Sequence, residues 1–136
     1  MMKLVMPLVG LIVFLMFAPT ARAQPLECHA PLKPMRIVDL YFGGSAAGVT
    51  ARRWSRFLAQ EVTPRFPDGL TVVDGAGQWR EAMGKRIVRE RTKIVTIAVA
   101  AGEVVADRVD AVVAAYKRRF HQKSVGVIMR EGCGAF

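Results

Sequence analysis

The chain has 136 residues, of which 20 are Lys or Arg and 11 are Asp or Glu, so its formal net charge is +9 at pH 7. This length predicts one domain, and a chain of this size can bury enough surface for one core without a structural metal. The positive charge favours anionic partners. The alternative is that it serves solubility alone, because no run of five or more basic residues occurs.

The first 23 residues have the pattern of a signal peptide. Lys3 gives a short positive start, residues 4–17 are almost wholly apolar, and Ala21-Arg22-Ala23 is a small-x-small cleavage site. The apolar run is shorter than the ~20 residues that a membrane-spanning helix needs. We therefore expect an exported protein, periplasmic or secreted, with no membrane span after cleavage. Its mature charge is +7, because the removed segment carries Lys3 and Arg22 and no acid.

Two cysteines, Cys28 and Cys133, lie near the two ends of the mature chain. Exported proteins meet oxidising conditions, so one intramolecular disulfide is expected. A zinc site that adds His29 and His121 would have suitable ligand types. The adjacency of Cys28 and His29, with two distant partners, matches no standard zinc spacing. The sequence therefore predicts a disulfide, with no metal and no cofactor.

The mature chain divides into a lead-in and one domain. Residues 24–35 carry three prolines and predict an extended lead-in, and residues 36–136 form the domain. β-Branched and aromatic runs predict strands, and apolar residues at helical spacing predict helices. In chain order these are a strand at 36–42, a helix at 50–62, a strand at 70–73 that resumes at 78–80 after a turn or bulge at 74–77, a hairpin turn at 83–85, a strand at 87–99, a helix at 102–120 and a strand at 124–129.

This order is the split βαββαβ pattern of the ferredoxin-like fold. The predicted architecture is α+β, with a four-stranded antiparallel sheet and two helices on one face. In that fold the last strand lies antiparallel beside the first. Cys133 would follow the last strand and Cys28 would precede the first, so the disulfide and the topology agree although they were inferred separately.

Three runs carry a family resemblance: Leu40-Tyr41-Phe42-Gly43, the block from Thr63 to Trp79 (TPRFPDGLTVVDGAGQW), and Ala115 to Phe120 (AYKRRF). With shorter matches between them, they resemble the domain of unknown function 3574 family of bacterial proteins over nearly all of the mature domain. The resemblance implies an exported or lipoprotein-like protein and no particular activity. The glycine-rich tail from Glu131 to Gly134 departs from similar proteins.

One set of polar and aromatic residues could converge on a sheet face or at a strand end. A carboxylate beside an Arg or Lys there can act as an acid, a base or an anion clamp. The alternative is that Arg80, Glu90 and Lys93 form cross-strand ion pairs with Trp79 packed over their stems. The candidate binding residues are Tyr41, Glu61, Asp74, Gln78, Trp79, Arg80, Glu90 and Lys93, and the catalytic residues, if any, stay unassigned.

The remaining motifs indicate structural roles better than they indicate a nucleotide-binding or catalytic site. Gly43-x4-Gly48 resembles a phosphate-binding loop, but Val49 stands where that loop has its Lys. No Ser/His/Asp set is credible, because only His29 and His121 occur. Five aromatic residues are expected in the core, namely Trp54, Phe57, Phe66, Tyr116 and Phe120.

Three functions stay open. The first is an exported binding or interaction domain whose partner is an anionic envelope component or a small ligand. The second is a small cofactor-independent enzyme, isomerase- or monooxygenase-like, that encloses its pocket as a homodimer packed sheet to sheet. The third is adhesion to the envelope or to nucleic acid, the latter disfavoured, through the basic residues Arg52, Arg53, Arg56, Lys117, Arg118 and Arg119.

Overall fold

The computed structural model describes residues 26–44, 49–80, 84 and 86–136. The predicted signal peptide at residues 1–23, the glycine-loop residues 45–48 and two of the three predicted hairpin residues, 83 and 85, lie outside this part of the chain. The described elements are β1 (Lys33–Gly44), α1 (Ala51–Phe57), a π-helical segment (Leu58–Val62), β2 (Thr71–Arg80), β3 (Ile87–Ala100), α2 (Ala106–Phe120) and β4 (Gly126–Gly134).

The strands form one antiparallel sheet in the order β2-β3-β1-β4. This order confirms the ferredoxin-like topology, with β1 and β3 in the centre and β2 and β4 at the edges. No helix in the described residues is long and apolar enough to cross a membrane.

The core lies between one face of the sheet and the two helices. Alternate residues of the central strands, such as Leu40, Phe42 and Val95, are fully buried and pack in one cluster with residues of both helices. An aromatic cluster joins the layers, because the Phe42 ring lies 4.6 Å from that of Tyr116 on α2 and 5.4 Å from that of Trp54 on α1. All five aromatic residues predicted for the core are buried.

β2 is continuous through residues 74–77, so the predicted turn or bulge there is wrong. Every residue from Thr71 to Arg80 has a partner on β3, and Gly75 lies opposite Thr92. The two glycines make room for neighbouring side chains: a Cβ added at Gly77 would lie 2.6 Å from Oγ1 of Thr92. These glycines therefore serve close packing within a strand.

Two element boundaries differ from the sequence-based ones at the disulfide. β1 begins at Lys33, inside the predicted lead-in, and β4 runs on to Gly134. Cys133 therefore lies within β4, opposite Pro34, rather than after the strand. The disulfide between Cys28 and Cys133 is formed, with 5.7 Å between the Cα atoms.

Candidate binding groove

The face of the sheet that carries no helix, here called the open face, contains a groove with a glycine floor. Strand alternation places Gly43, Gly75, Gly77 and Gly126 on this face. Because four floor positions lack side chains, the surface is concave, with a volume of about 850 Å³. Its lining residues are Tyr41, Gly43, Gly75, Ala76, Gly77, Gln78, Trp79, Glu90, Thr92, Ile94, His121, Gln122, Lys123, Ser124 and Gly126.

The strand register gives the groove its length. Tyr41 pairs with Ile94 at one end, and Trp79 pairs with Val88 at the other. The two rows are six positions apart along β3, which is roughly 20 Å at ~3.4 Å per residue. The groove therefore suits an elongated molecule, with an aromatic side chain available at each end.

Glu90 lies over the glycine floor. A Cβ added at Gly43 would be 2.6 Å from Oε1 of Glu90, and one added at Gly77 would be 3.6 Å from its Cγ. The side chain is half-buried, and its carboxylate has no hydrogen bond or ion pair with any residue of the described ranges. A half-buried carboxylate without a partner, in a concave site, is poised to bind a positively charged group.

Tyr116 anchors the floor from the opposite side of the sheet. Its hydroxyl is fully buried and donates a hydrogen bond of 3.0 Å to the carbonyl oxygen of Gly43. Burial, and to a lesser degree the negative charge of Glu90, raise the pKa of Tyr116 to about 12. The Glu90 carboxylate therefore lies beside the residue by which Tyr116 holds β1, because a Cβ added at Gly43 would be 2.6 Å from Oε1 of Glu90.

The segment after α2 forms one rim of the groove. α2 ends at His121, which adopts the left-handed conformation with a φ of 54° and turns the chain toward β4. Residues 122–124 then line the groove across from β3, the strand that carries Glu90. Lys123 brings a positive charge to this rim, so the groove carries an acid on its floor and a base at its edge.

The sheet separates the predicted site residues into two groups. Tyr41, Trp79 and Glu90 all line the groove, and Gln78 lies at its border. Asp74 and Lys93, by contrast, point to the helix-covered side, where they form an ion pair across β2 and β3. They line a separate cavity of about 590 Å³ beside the start of α1, with Phe42, Gly44, Val49 and Tyr116 among its other walls.

The remaining two predicted residues lie outside the groove. Arg80 ends β2 opposite Ile87 and is exposed. Glu61 lies on the π-helical segment and accepts a hydrogen bond of 3.2 Å from Arg65. The cross-strand ion pairs expected among Arg80, Glu90 and Lys93 are not formed in the described structure, because Lys93 lies opposite Asp74 and Glu90 lies opposite Gly77.

The open face also carries a polar cluster that the sequence analysis did not single out. Asp39, only 5% exposed, accepts hydrogen bonds from Oγ1 of Thr96 at 2.7 Å and from the Arg130 guanidinium. Burial alone would raise the pKa of Asp39, but these hydrogen bonds and the Arg130 charge outweigh it and hold the pKa below its usual value. A lone acid inside the apolar run RIVDLYF was the sequence signal for it.

Within the described ranges, no group of three or more His, Cys, Asp and Glu side chains could hold a metal ion.

Comparisons with known proteins place the chain among its relatives. A phage SAM lyase in complex with S-methyl-5′-thioadenosine superposes with a TM-score of 0.57 and 17% identity, over 71% of this chain and 81% of that one. Its apo form gives a TM-score of 0.53 and 16% identity, over 79% and 87%. These likenesses show a shared fold.

CutA1 from Oryza sativa superposes more weakly, with a TM-score of 0.49 and 14% identity over 77% of this chain and 85% of that one. A search of curated proteins finds no match. The family profile described as protein of unknown function (DUF3574) matches residues 38–136. This match contains every strand except the start of β1, both helices and the whole groove, so the chain belongs to the DUF3574 family.

Proposed function

We propose that this chain is an exported binding domain of the bacterial envelope, and that its groove binds a small zwitterionic molecule of the amino-acid or short-peptide class. The observation that carries the proposal is the half-buried Glu90 carboxylate, which has no partner among the described residues and lies on the glycine floor. An ammonium group placed over Gly43 would give this carboxylate a charge-assisted hydrogen bond.

The charge of the whole chain favours a zwitterion over a simple cation. The net charge is +9 for the whole chain and +7 without residues 1–23, which carry Lys3 and Arg22 and no acid, and either charge repels cations from the surface. A ligand with an acidic group as well has no net charge to be repelled, and Lys123 on the rim could receive that group. Glu90 and Lys123 together therefore fit a molecule that carries one charge of each sign.

The aromatic ends of the groove favour an apolar or aromatic body. Tyr41 lies at one end with Ile94, and the Trp79 side chain, 49% exposed, lies at the other. Covering half-exposed aromatic and aliphatic surface contributes about 25 cal/mol per Å². The charges would set the orientation of the ligand and the aromatic side chains would supply most of its contact area.

Calorimetric titration with matched probes tests this proposal. The first probe is the dipeptide of two L-phenylalanines, compared with its N-acetylated form and its C-terminal amide, each of which lacks one charge. S-adenosylhomocysteine and S-methyl-5′-thioadenosine, both neutral thioethers at sulfur and chosen because a SAM lyase shares this fold, form a second pair in which only the first has an amino-acid group. We expect the zwitterionic member of each set to bind best.

The variant Glu90→Gln should weaken binding of the zwitterions about tenfold or more, because a hydrogen bond to a charged group contributes about 1.5–3 kcal/mol. Glu61→Gln is the matched control, since Glu61 is paired with Arg65 away from the groove. Binding that is equal for the acetylated and free peptides, or unchanged in Glu90→Gln, would refute the proposal.

A second candidate function is a cofactor-independent enzyme that closes the groove as a homodimer. The observation that favours it is the exposed apolar surface on the open face, where Val73, Trp79 and Ile128 are each about half-exposed. A second copy packed on this face would bury these residues and enclose the groove. Light scattering that shows a dimer, together with conversion of a probe that Glu90→Gln abolishes, would support the enzyme; a monomer without turnover would exclude it.

A further inference from the structure

The helical layer carries a second surface, chemically unlike the groove. Here it is called the basic surface and comprises Arg52, Arg53, Arg56, Lys117, Arg118 and Arg119. These residues come from α1 and from the last turn of α2. Direct contacts join the two helices: the Arg53 guanidinium donates to the carbonyl oxygen of Arg119 at 3.0 Å and lies 5.0 Å from the Phe120 ring centroid.

Part of the basic surface is a shallow hollow on α1. It is lined by Thr50, Arg52, Arg53 and Arg56 and has a volume of about 380 Å³. The Arg52 and Arg56 guanidinium groups beside this hollow can bind the oxygen atoms of a phosphate group through their planar forks of N–H donors, while the Arg53 guanidinium joins α1 to α2. The hollow is open to solvent, so a phosphate on a larger assembly can reach it.

The acids of the described residues lie elsewhere and do not neutralise this surface. The ion pairs link Arg36 with Glu131, Arg65 with Glu61, Lys93 with Asp74, Arg108 with Glu103 and Arg130 with Asp39. On α2 the acids Asp107 and Asp110 lie in the first half of the helix, whereas the bases lie in its last turn. The helical layer is therefore charge-polarised, with its positive end at the basic surface.

We infer that the basic surface docks on an anionic phospholipid membrane, with its guanidinium groups bound to lipid phosphates. The bases spread over two adjacent helices and beyond the hollow, so they complement a broad array of phosphates better than one free ion. Clustered Lys and Arg side chains near an anionic bilayer each contribute to binding additively. This inference stands independently of the proposed ligand of the groove.

The aromatic residues nearest to this surface argue against single-stranded nucleic acid as its partner. Trp54, Phe57 and Phe120 are all buried in the core. Nucleic-acid-binding surfaces of this type present exposed aromatic side chains on which bases stack. The described part of the basic surface offers charge without such a platform, which suits phosphates of lipid headgroups.

Docking in this way would leave the groove accessible. The basic surface lies on the helix-covered side of the sheet, and the groove lies on the open face. The sheet would separate a membrane held against the helices from the groove floor, whereas the groove rim at residues 121–124 directly follows the basic last turn of α2. The chain could bind a surface and a soluble ligand at once, with one function on each side.

Vesicle flotation with the full chain tests this inference. Vesicles that contain phosphatidylglycerol are compared with vesicles of phosphatidylcholine alone, at low and at physiological salt. The variant is Arg52→Gln/Arg56→Gln, which changes two exposed side chains with no ion pair in the described structure. The control is Lys33→Glu, which lowers the net charge by the same two units at the start of β1, away from α1.

We expect salt-dependent binding to the anionic vesicles that the double variant weakens about 25-fold, at about fivefold for each base removed, whereas Lys33→Glu leaves it nearly unchanged. The apolar residues 4–17 are present in every arm, so they cannot produce this difference. Equal loss in both variants, no more binding to the anionic vesicles than to phosphatidylcholine vesicles, or tighter binding to DNA at the same phosphate concentration would overturn the inference.

Discussion

Gly43→Ala should separate binding from folding. Gly43 lies in β1 at the centre of the groove floor, and a Cβ there would approach Oε1 of Glu90 to 2.6 Å and its Cδ to 2.9 Å. These distances are too short, so the carboxyl group must move. Since the obstacle is the end of a flexible side chain, Glu90 can rotate away and the strand need not shift.

The expected change in stability is small because two effects oppose each other. An alanine restricts the unfolded chain and stabilises the fold by about 0.4–1 kcal/mol where its backbone angles are allowed. Gly43 does not have a positive φ, so that condition is met. Forcing Glu90 from its rotamer costs about 0.5–1.5 kcal/mol. The free energy of unfolding should therefore change by less than about 1 kcal/mol.

The expected change in binding is much larger. Displacing Glu90 removes a charged contact of about 1.5–3 kcal/mol, which is roughly a tenfold to hundredfold loss of affinity for the zwitterionic dipeptide. Calorimetry measures the affinity, and urea unfolding measures the stability. Gly132→Ala is the control, because Gly132 lies on the same face but outside the groove, and its added Cβ meets only the end of Ile37.

Three results could follow, and two of them contradict the reasoning. A Gly43→Ala protein that folds and binds poorly, beside a Gly132→Ala protein that binds normally, supports it. Full binding in Gly43→Ala would show that the Glu90 carboxylate does not hold the ligand at this place. A loss of several kcal/mol in stability would show that Glu90 cannot move and that the floor is rigid.

Further predictions concern groups outside the ligand contact. Glu90→Gln should lower the pKa of Tyr116 from about 12 while leaving it above its ordinary value, because burial is the larger cause of the shift. An ultraviolet absorbance titration measures this pKa, and Tyr116→Phe identifies the titration step that belongs to Tyr116. Because the unfolded phenol loses its proton near pH 10, stability due to Tyr116 is complete below that pH and declines as pH rises toward 12. Asp39→Asn should destabilise the protein by about 1–2 kcal/mol at neutral pH. The difference should begin to shrink near pH 4, where the unfolded Asp39 takes up its proton, and should vanish only below the lowered pKa of native Asp39; urea unfolding across this range tests the sign. Cys133→Ser should lower stability by about 4.7 kcal/mol in the chain-entropy view, since the bond spans 105 residues; a smaller loss in thermal unfolding would show that the unfolded chain without the bond retains structure.

The order and type of the elements could be predicted from the sequence because each rests on local patterns. The β-branched and aromatic run RIVDLYF predicts a strand, and the spacing of Trp54 and Phe57 predicts a helix face. The continuity of β2 could not be read in this way. Gly75 and Gly77 signal a turn locally, and only their position opposite Thr92 and Glu90 shows that they make room for side chains.

The groove was predictable in part. Tyr41, Trp79 and Glu90 were all candidate residues, and strand alternation assigns each to a face once its strand is known. The register between strands decides which of them meet, and single-sequence patterns do not set it. A shift of one residue in β2 would have brought Asp74 to the groove and removed Gly75. The rim at 121–124 depends on how α2 ends, which is a tertiary feature.

The most direct test of the proposed binding site follows the two tryptophan indole N–H signals by NMR during titration with the dipeptide of two L-phenylalanines. Trp79 lies in the groove and Trp54, 5% exposed, lies in the core. We expect the Trp79 signal to move in a saturable way and the Trp54 signal to stay in place. In Glu90→Gln the Trp79 signal should reach half of its shift only at about tenfold or higher peptide concentration. A Trp79 signal that does not move in the native protein, or that moves equally in Glu90→Gln, would contradict the assignment of this groove and of Glu90 as its charged contact.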